Sequence, residues 1–281
     1  MTLQTTVRLV LAVSLDGRLA YPQGGTSQLG GGGDRKALEE ALAWSDGALI
    51  GAGTQRAHRS SCLIHAHDLL EQRQAACRSP QPDLFVVSRQ ADFPLHWPFF
   101  QQPFARYLLT PGGGGASGFN DGYPLAASWT ESLASLAARG WSKFVLLGGA
   151  GLCESMLADD AVDELQLTLC PRLLGGPFCW VPSLAPALPE NLAAADAWLL
   201  EHSQPLGGGE LLVHAVASRG GWREAVQFHG PPSPLPKGRG GPSRPQRPEP
   251  GNEGKKDTAT ATAAHAAAAS ADEQGDEDDA G

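Results

Sequence analysis

A short apolar segment near the N-terminus constrains the fold more than any other feature of this chain. Residues 7–13 are apolar except for Arg8, and such a run is typical of a central strand whose two faces are both covered. It is too short to span a bilayer, Arg8 interrupts it and Asp16 ends it, so we do not interpret it as a signal peptide or a membrane anchor. A strand of this kind predicts a sheet with helices on both sides.

Strands and helices alternate along the rest of the first 218 residues. Asp34 is the predicted N-cap of a helix over 35–45, and Ser128 with Glu131 forms a capping box before another helix. A further helix is predicted over 63–78, and strands over 48–50, 83–88, 105–110, 143–147 and 163–170, before a closing strand pair at 198–202 and 210–216. Several βα units followed by a strand pair predict a three-layer α/β/α domain, whose mostly parallel sheet has an antiparallel edge.

The C-terminal part of the chain has a different composition. From residue 219 onward Pro, Gly, Ala and charged residues dominate, and large apolar side chains almost cease after Phe228. Such a segment cannot bury enough apolar surface to offset its ordering entropy. We therefore predict a folded domain over 1–218 and a disordered low-complexity tail over 219–281, which serves solubility or meets an acidic partner.

Charge and cysteine content exclude several classes of protein. The net charge of −9 argues against general nucleic-acid binding. The five cysteines are odd in number and lack C-x-x-C spacing, so we expect a cytoplasmic protein without disulfides. We expect no metal site, because His58, His65 and His67 have no carboxylate or Cys ligand positioned with them. We also expect no membrane partner, and a homodimer is one open alternative for the oligomeric state.

Two glycine-rich turns, at 51–54 and 148–151, each follow a strand and precede a helix. Glycine lets the backbone approach a ligand, and a helix N-terminus offers free N–H groups and positive potential, which suits a pyrophosphate. Neither turn completes G-x-G-x-x-G, since Glu154 stands in place of the third Gly, and neither is a P-loop. Asp16 follows the first strand at the same predicted edge, where spacing alone favours an Asp-Gly turn.

Four blocks, taken together, resemble the reductase domain of the bifunctional deaminase-reductase of bacterial riboflavin biosynthesis. They are the string Ala-x-Ser-Leu-Asp-Gly-Arg-Leu-Ala at 12–20, the segment 34–54 ending in Gly-x-Gly-Thr, the second glycine turn at 147–152, and 162–176. The resemblance implies a dihydrofolate-reductase-like fold, NADPH as cofactor and a small-molecule substrate. The zinc deaminase domain of the bifunctional enzyme has no counterpart, since no His/Cys/Cys signature appears.

The resemblance also implies roles for individual residues. Asp16 is the candidate catalytic residue, which would orient the substrate or relay a proton. Ser14 is a candidate substrate-binding residue, and both would lie near the nicotinamide and the substrate. Ser88 and Arg89 would meet the adenosine 2′-phosphate, which a guanidinium can bind by paired hydrogen bonds. The full set of predicted cofactor-binding residues is Gly51, Gly53, Thr54, Ser88, Arg89, Gly148, Gly149, Ala150 and Gly151.

The chain departs from the family pattern on the substrate side. After the Gly-Thr turn the family usually has Ala-Asp-Asp/Asn-Pro and then a phosphate-binding Arg. Here His58 and Ser60 replace the Asp and the Pro, and His65 stands near the Arg position. Leu147 replaces a Glu before the second glycine turn. We therefore predict retained cofactor contacts and altered substrate contacts, with His58 and Arg59 as candidate substrate-binding residues.

The expected function is NADPH-dependent reduction of 5-amino-6-(5-phosphoribosylamino)uracil, or of a related imine or carbonyl. Two alternatives stay open. One is a nucleotide-binding protein that keeps the fold without turnover, which the missing Glu and Arg favour. The other is a dihydrofolate-reductase-like enzyme that acts on a pterin or another heterocycle.

Overall fold

The computed structural model describes residues 5–25, 28–182 and 188–218. The predicted tail over 219–281 lies outside the described residues and stays a prediction. Within the described part, no helix is both long enough and apolar enough to cross a membrane.

The described residues form one nine-stranded sheet with the order β5-β4-β3-β2-β6-β1-β7-β9-β8. The strands are β1 (Thr6–Ser14), β2 (Gly47–Gly51), β3 (Asp83–Val87), β4 (Arg106–Thr110), β5 (Asp121–Pro124), β6 (Lys143–Leu146), β7 (Glu164–Cys170), β8 (Trp198–Gly207) and β9 (Glu210–Ala217). The helices are α1 (Gly32–Trp44), α2 (Ala52–His58), α3 (His67–Ala75), α4 (Trp129–Ala137), α5 (Ala150–Ala158) and α6 (Glu190–Ala193), with a 3₁₀ turn at Pro98–Gln101. Neighbouring strands from β5 to β7 are parallel, whereas β9 and β8 are antiparallel additions. The predicted mostly parallel sheet with an antiparallel edge is confirmed.

β1 is a central strand covered on both faces, as its apolar run predicts. It pairs with β6 on one side and β7 on the other. On one face Val7 and Leu9 are fully buried in a cluster with Leu133 of α4 and Met156 of α5. On the opposite face Val10 packs in a smaller cluster with Ala41 of α1. This arrangement gives the three-layer α/β/α architecture.

Some predicted boundaries were wrong, and one strand was missed. α1 begins at Gly32, so Asp34 lies in its first turn and does not cap it; Gly31 is the N-cap. α3 begins later than residue 63 because the Glu39 carboxylate accepts hydrogen bonds from the backbone N–H groups of His65 and Ala66, both at 2.8 Å. Sequence patterns missed β5 because its Asp-Gly-Tyr-Pro sequence is poor in strand-forming residues.

The capping box that begins at Ser128 was predicted correctly. The Ser128 hydroxyl accepts a hydrogen bond from the backbone N–H of Glu131 at 3.2 Å, so α4 begins where the sequence indicates. This end of α4 lies at the carboxyl edge of the sheet.

Candidate functional site

The two glycine-rich turns lie side by side at the carboxyl edge of the sheet. They meet because β2 and β6, the strands that precede them, are parallel neighbours. The backbone N–H of Gly51 donates to the carbonyl oxygen of Gly148 at 2.8 Å, and that of Leu147 donates to the carbonyl of Leu49 at 2.9 Å. Gly148 has a φ of +83°, a conformation that glycine adopts without strain, and its peptide bond to Gly149 is cis.

A cleft of about 1700 Å³ runs along this edge and is lined by both turns. A drug-sized ligand occupies a pocket of roughly 300–1,000 Å³, so the cleft has room for a dinucleotide and a second small molecule. The predicted cofactor-binding residues in its wall are Gly51, Gly53, Thr54, Ser88, Arg89, Gly149, Ala150 and Gly151. Gly148 is the one predicted cofactor-binding residue outside the wall, and its carbonyl accepts the hydrogen bond from Gly51 that links the two turns.

The start of α5 fits an anionic group. The helix begins at Ala150 with Gly149 as its N-cap, and first-turn N–H groups have no acceptor within a helix and carry positive potential. A Cβ atom added at Gly151 would meet no other atom within 4 Å, and the same holds for Gly53. At Gly149 it would collide with the Thr54 hydroxyl. Gly149 thus permits the turns to pack together, whereas Gly53 and Gly151 face open space.

Ser88 and Arg89 follow β3 and have different roles in the structure. The buried Ser88 hydroxyl donates to the carbonyl of Gln90 at 2.5 Å and lies 3.1 Å from the Gln90 backbone N–H, so it closes the turn. Arg89 is exposed in the cleft wall. Its guanidinium is therefore the group at this end that is placed for an anionic ligand.

Ser14 and Asp16 are tied into a loop beside the cleft and are not part of its wall. The Ser14 hydroxyl donates to Asp16 Oδ1 at 2.5 Å, and the N–H groups of Leu174 and Gly175 donate to the same carboxylate at 3.1 and 2.7 Å. These hydrogen bonds, that from Ser14 above all, hold the pKa of Asp16 well below its usual range. A carboxylate held ionised in this way is poorly suited to the proton relay predicted for Asp16.

His58 and Arg59 end α2 and are placed differently. His58 lines the cleft, whereas Arg59 adopts a left-handed conformation after the helix, with a φ of 55°, and lies outside the cleft wall. Two other cations line the cleft instead, Arg35 in the first turn of α1 and Arg56, whose guanidinium lies 4.9 Å from the centre of the Phe93 ring. Sequence reasoning missed both, although Arg35 lies in the first turn of a helix that starts beside the cleft.

Asp34 is a third residue that the sequence analysis did not assign to the site. It lines the cleft from the first turn of α1, and its carboxylate is hydrogen-bonded to the Thr168 side chain on β7. Burial, and to a lesser extent the nearby Glu210 carboxylate, raise the pKa of Asp34, while the Thr168 hydrogen bond opposes them. The sequence analysis interpreted Asp34 as a helix cap and therefore did not predict that it lines the cleft.

The described residues contain no group of three or more His, Cys, Asp or Glu side chains that could hold a metal ion. His67, one of the three histidines considered above, is exposed and lies 3.5 Å from Glu71 one turn along α3. The polar groups that line the cleft include glycine-turn N–H groups, guanidinium groups, carboxyl groups and the imidazoles of His58 and His65.

Together these features define an α/β domain with a large cleft at the carboxyl edge of its sheet, lined by two glycine turns and by several Arg side chains. The family model described as the RibD C-terminal domain matches residues 5–185, and the chain belongs to this family of riboflavin-biosynthesis reductases. The predicted resemblance to the reductase domain of that pathway is therefore confirmed. No curated protein sequence matches the chain.

Solved structures share the fold at low sequence identity. A pyrimidine reductase-like protein of Corynebacterium diphtheriae is 18% identical, with a TM-score of 0.61 over 76% of this chain and 92% of that one. RibD of Acinetobacter baumannii is 20% identical, with a TM-score of 0.61 over 78% of this chain and 59% of that one. The riboflavin biosynthesis reductase Rib7 of Saccharomyces cerevisiae is 15% identical, with a TM-score of 0.52 over 78% and 92%. This chain therefore spans about three fifths of the length of the RibD protein.

Proposed function

We propose that this chain is an NADPH-dependent reductase that converts 5-amino-6-(5-phosphoribosylamino)uracil, or a close relative, to its ribitylamino product. The observation that supports this most is the pairing of the two glycine turns, with open space at Gly53 and Gly151, in a cleft large enough for cofactor and substrate. A protein of Thermotoga maritima, 16% identical, is described as a diaminohydroxyphosphoribosylaminopyrimidine deaminase and 5-amino-6-(5-phosphoribosylamino)uracil reductase.

In this proposal the residues of the chain bind and orient, and NADPH supplies a hydride when bound. The first-turn N–H groups of α5 bind the pyrophosphate, and Arg89 binds the adenosine 2′-phosphate. The substrate phosphate is held by cationic side chains of the wall, among them Arg35 and Arg56, with His58 and His65 also in the wall. Arg59 is less well placed for this role. Ser14 and Asp16 hold the loop at Leu174 and Gly175 against the end of β1.

The proposal places the protein in the cytoplasm. All five cysteines are free, which agrees with a reducing compartment. A homodimer remains an open alternative that no contact within the chain favours or opposes.

A nucleotide-binding protein without turnover is the second candidate function. The observation that favours it is Leu147, an apolar residue in the cleft wall where the family usually carries Glu. The two candidates differ in a simple experiment, because both predict binding of NADPH and only the reductase predicts its oxidation.

We therefore expect the full chain to bind NADPH and to oxidise it when the ribosylamino-uracil substrate is added. The measurements are a fluorescence titration with NADPH and the loss of its absorbance, with dihydrofolate as a second substrate for the alternative heterocycle. Binding without oxidation of NADPH by either compound would support the non-catalytic candidate. Absence of NADPH binding would exclude both.

Arg89→Ala is expected to weaken NADPH binding by about tenfold and NADH binding little. A charge-assisted hydrogen bond contributes roughly 1.5–3 kcal/mol, and we take the lower end because Arg89 is exposed and its interaction is screened by solvent. Arg59→Ala is the matched control, because it removes an exposed Arg that does not line the cleft. Titration of each variant with both nucleotides tests this, and equal losses for NADPH and NADH would remove Arg89 from the 2′-phosphate site.

A further inference from the structure

Strand β7 has a polar face that is buried and an apolar face that is only partly covered. Gln166 and Thr168 are buried on the side of α1, where the Gln166 amide donates to a carbonyl oxygen of that helix at 3.0 Å. The opposite face carries three leucines that are each only partly buried: Leu165, Leu167 and Leu169. A strand with one solvated face normally shows the reverse, with its apolar side chains covered and its polar ones in water.

The apolar face continues across β9 to β8, the last strand of the sheet. In register, its three cross-strand rows are Leu165–Ala215–Leu200, Leu167–Val213–Ser203 and Leu169–Leu211–Pro205, and we call these nine residues the edge face. The exposed fraction rises along the rows toward β8. In the first row, Leu9 of β1 is fully buried, Ala215 is 8% exposed and Leu200 is 62% exposed. The cover that α4 and α5 give to β1 therefore stops short of β8.

The charged and titratable side chains of these three strands lie on the other side of the sheet. His214 is buried on the side of α1, and its Nε2 and Nδ1 lie 3.0 and 3.4 Å from the carboxylates of Glu164 and Glu201. The His202 ring packs against that of His214, and Glu210 accepts a hydrogen bond from the backbone N–H of the residue that caps α1. Among the described residues of β7, β9 and β8, the edge face therefore has no charged side chain.

A second copy of this chain is the partner that such a face fits. An uncharged face offers no group with which a nucleic acid or a charged peptide could pair. Against its own copy, the same face meets side chains of its own kind, and no charge is buried without a partner. Two sheets can pack face to face in this way at a distance of about 10 Å, with their strands inclined by roughly 30°. Homodimer interfaces are also more apolar than those of transient complexes.

We propose that the edge face is the interface of a homodimer, in which a twofold axis packs the face of one copy against the same face of another. Leu200 and Leu211, which are 62% and 36% exposed in the single chain, are buried in the dimer. The homodimer that the sequence left open thereby gains a defined surface. The inference does not depend on the proposed reductase function, because no residue of the edge face lines the cleft.

Leu200→Lys tests the interface. Leu200 is largely exposed in the single chain, so a Lys there should leave the fold intact, whereas the twofold axis would bury two such charges without partners. We expect the parent protein to sediment as a dimer, and Leu200→Lys to raise the dissociation constant of the dimer by at least about a hundredfold. Sedimentation velocity over a range of protein concentrations measures this, with thermal melts as the check on folding.

Three further variants separate the edge face from the rest of the surface. Ser203→Lys adds a charge to the edge face without removing an apolar contact, and should also yield monomers. Leu199→Lys is the matched control, because Leu199 is 42% exposed and pairs with Val216 on the opposite face of the same strand. Leu95→Lys is a second control, since Leu95 is 52% exposed and lies outside these strands. Both controls should remain dimers. Equal losses in Leu199→Lys and Leu200→Lys would indicate pairing of two β8 edges, and would overturn packing through the face.

A parent protein that is monomeric at every concentration overturns the proposal, as do Leu200→Lys and Ser203→Lys proteins that both remain dimers. Two results would identify another occupant of the edge face. A monomeric parent protein that sediments with phosphatidylcholine vesicles would assign the face to a lipid surface. A monomeric parent protein whose Leu200→Lys variant melts at a clearly lower temperature would show that the chain covers this face itself.

Discussion

Gly151→Asp is expected to leave the protein folded and to weaken NADPH binding by about a hundredfold. Gly151 lies in the first turn of α5, where an added Cβ meets no atom within 4 Å and an acidic side chain favours the helix. The same charge would repel the pyrophosphate. Two like charges roughly 5 Å apart near a protein surface repel by about 3 kcal/mol, which corresponds to about two orders of magnitude in Kd.

The controls for this prediction use the same position and the neighbouring turn. Gly151→Ala adds a methyl group without charge and should bind NADPH within a few-fold of the parent protein. Gly149→Val is a weaker test, because its side chain would collide with the Thr54 hydroxyl and could disturb the packing of the turns. Titration with NADPH, paired with thermal melts, measures both effects. If Gly151→Asp folds and binds NADPH as the parent does, the start of α5 is not the pyrophosphate site.

Arg73→Ala is expected to lower the free energy of unfolding by about 3 kcal/mol. Arg73 on α3 is only 3% exposed. Its Nη1 donates to the carbonyl oxygens of Leu42, Ala43 and Ser45 at the end of α1, at 3.2, 3.0 and 2.7 Å. Its Nε donates to the carbonyl of Ser79 at 2.7 Å. Without the guanidinium, the carbonyls of Ser45 and Ser79 lose this donor, whereas those of Leu42 and Ala43 keep hydrogen bonds from Ser45 and Arg78. Each unsatisfied buried polar group costs about 1–3 kcal/mol.

Two variants show whether the loss comes from these hydrogen bonds. Arg73→Lys keeps a charge but fewer donors, so its stability should be intermediate. Arg78→Ala removes a neighbouring Arg that donates to the carbonyls of Ala43 and Trp44 but is partly exposed, and it should cost less. Urea denaturation measures all three. An Arg73→Ala protein as stable as Arg78→Ala would show that water replaces the guanidinium without penalty.

Local sequence patterns predicted the elements that depend on near neighbours. The apolar run at 7–13 correctly indicated a strand covered on both faces, and Ser128 correctly indicated the start of α4. The two glycine turns were correctly expected at one edge, because parallel strands end together. The boundaries of α3 were wrong because the cap that begins this helix is Glu39, a residue of another helix that no local pattern connects with it.

The site itself could be predicted only in part. Glycine-rich turns can be recognised in a sequence, so the residues of the cofactor side could be predicted from motifs. Their assignment to a cofactor is still a prediction. The role of a polar side chain depends on its neighbours in the folded protein. The sequence alone was therefore less informative about the polar residues of the site. Asp16 fits the family pattern, but its carboxylate is held by backbone N–H groups of a distant loop. Arg59 was a candidate for a phosphate-binding Arg that the pattern lacks here, and it lies outside the cleft wall. Asp34 was interpreted as a helix cap, and Arg35 as the first residue of that helix, so neither was assigned to the site.

By itself, the sequence of this protein determined the α/β class, the central strand, the glycine turns and membership of the reductase family, because each depends on residue types at short, regular spacing. The tertiary structure decided which polar side chains face the cleft and in what charge state. Asp34 illustrates the reason, since its partners Thr168 and Glu210 lie more than a hundred residues away along the chain. The pairing of β7 with β9 brings Thr168 and Glu210 together, and the packing of α1 against β9 brings Asp34 to them.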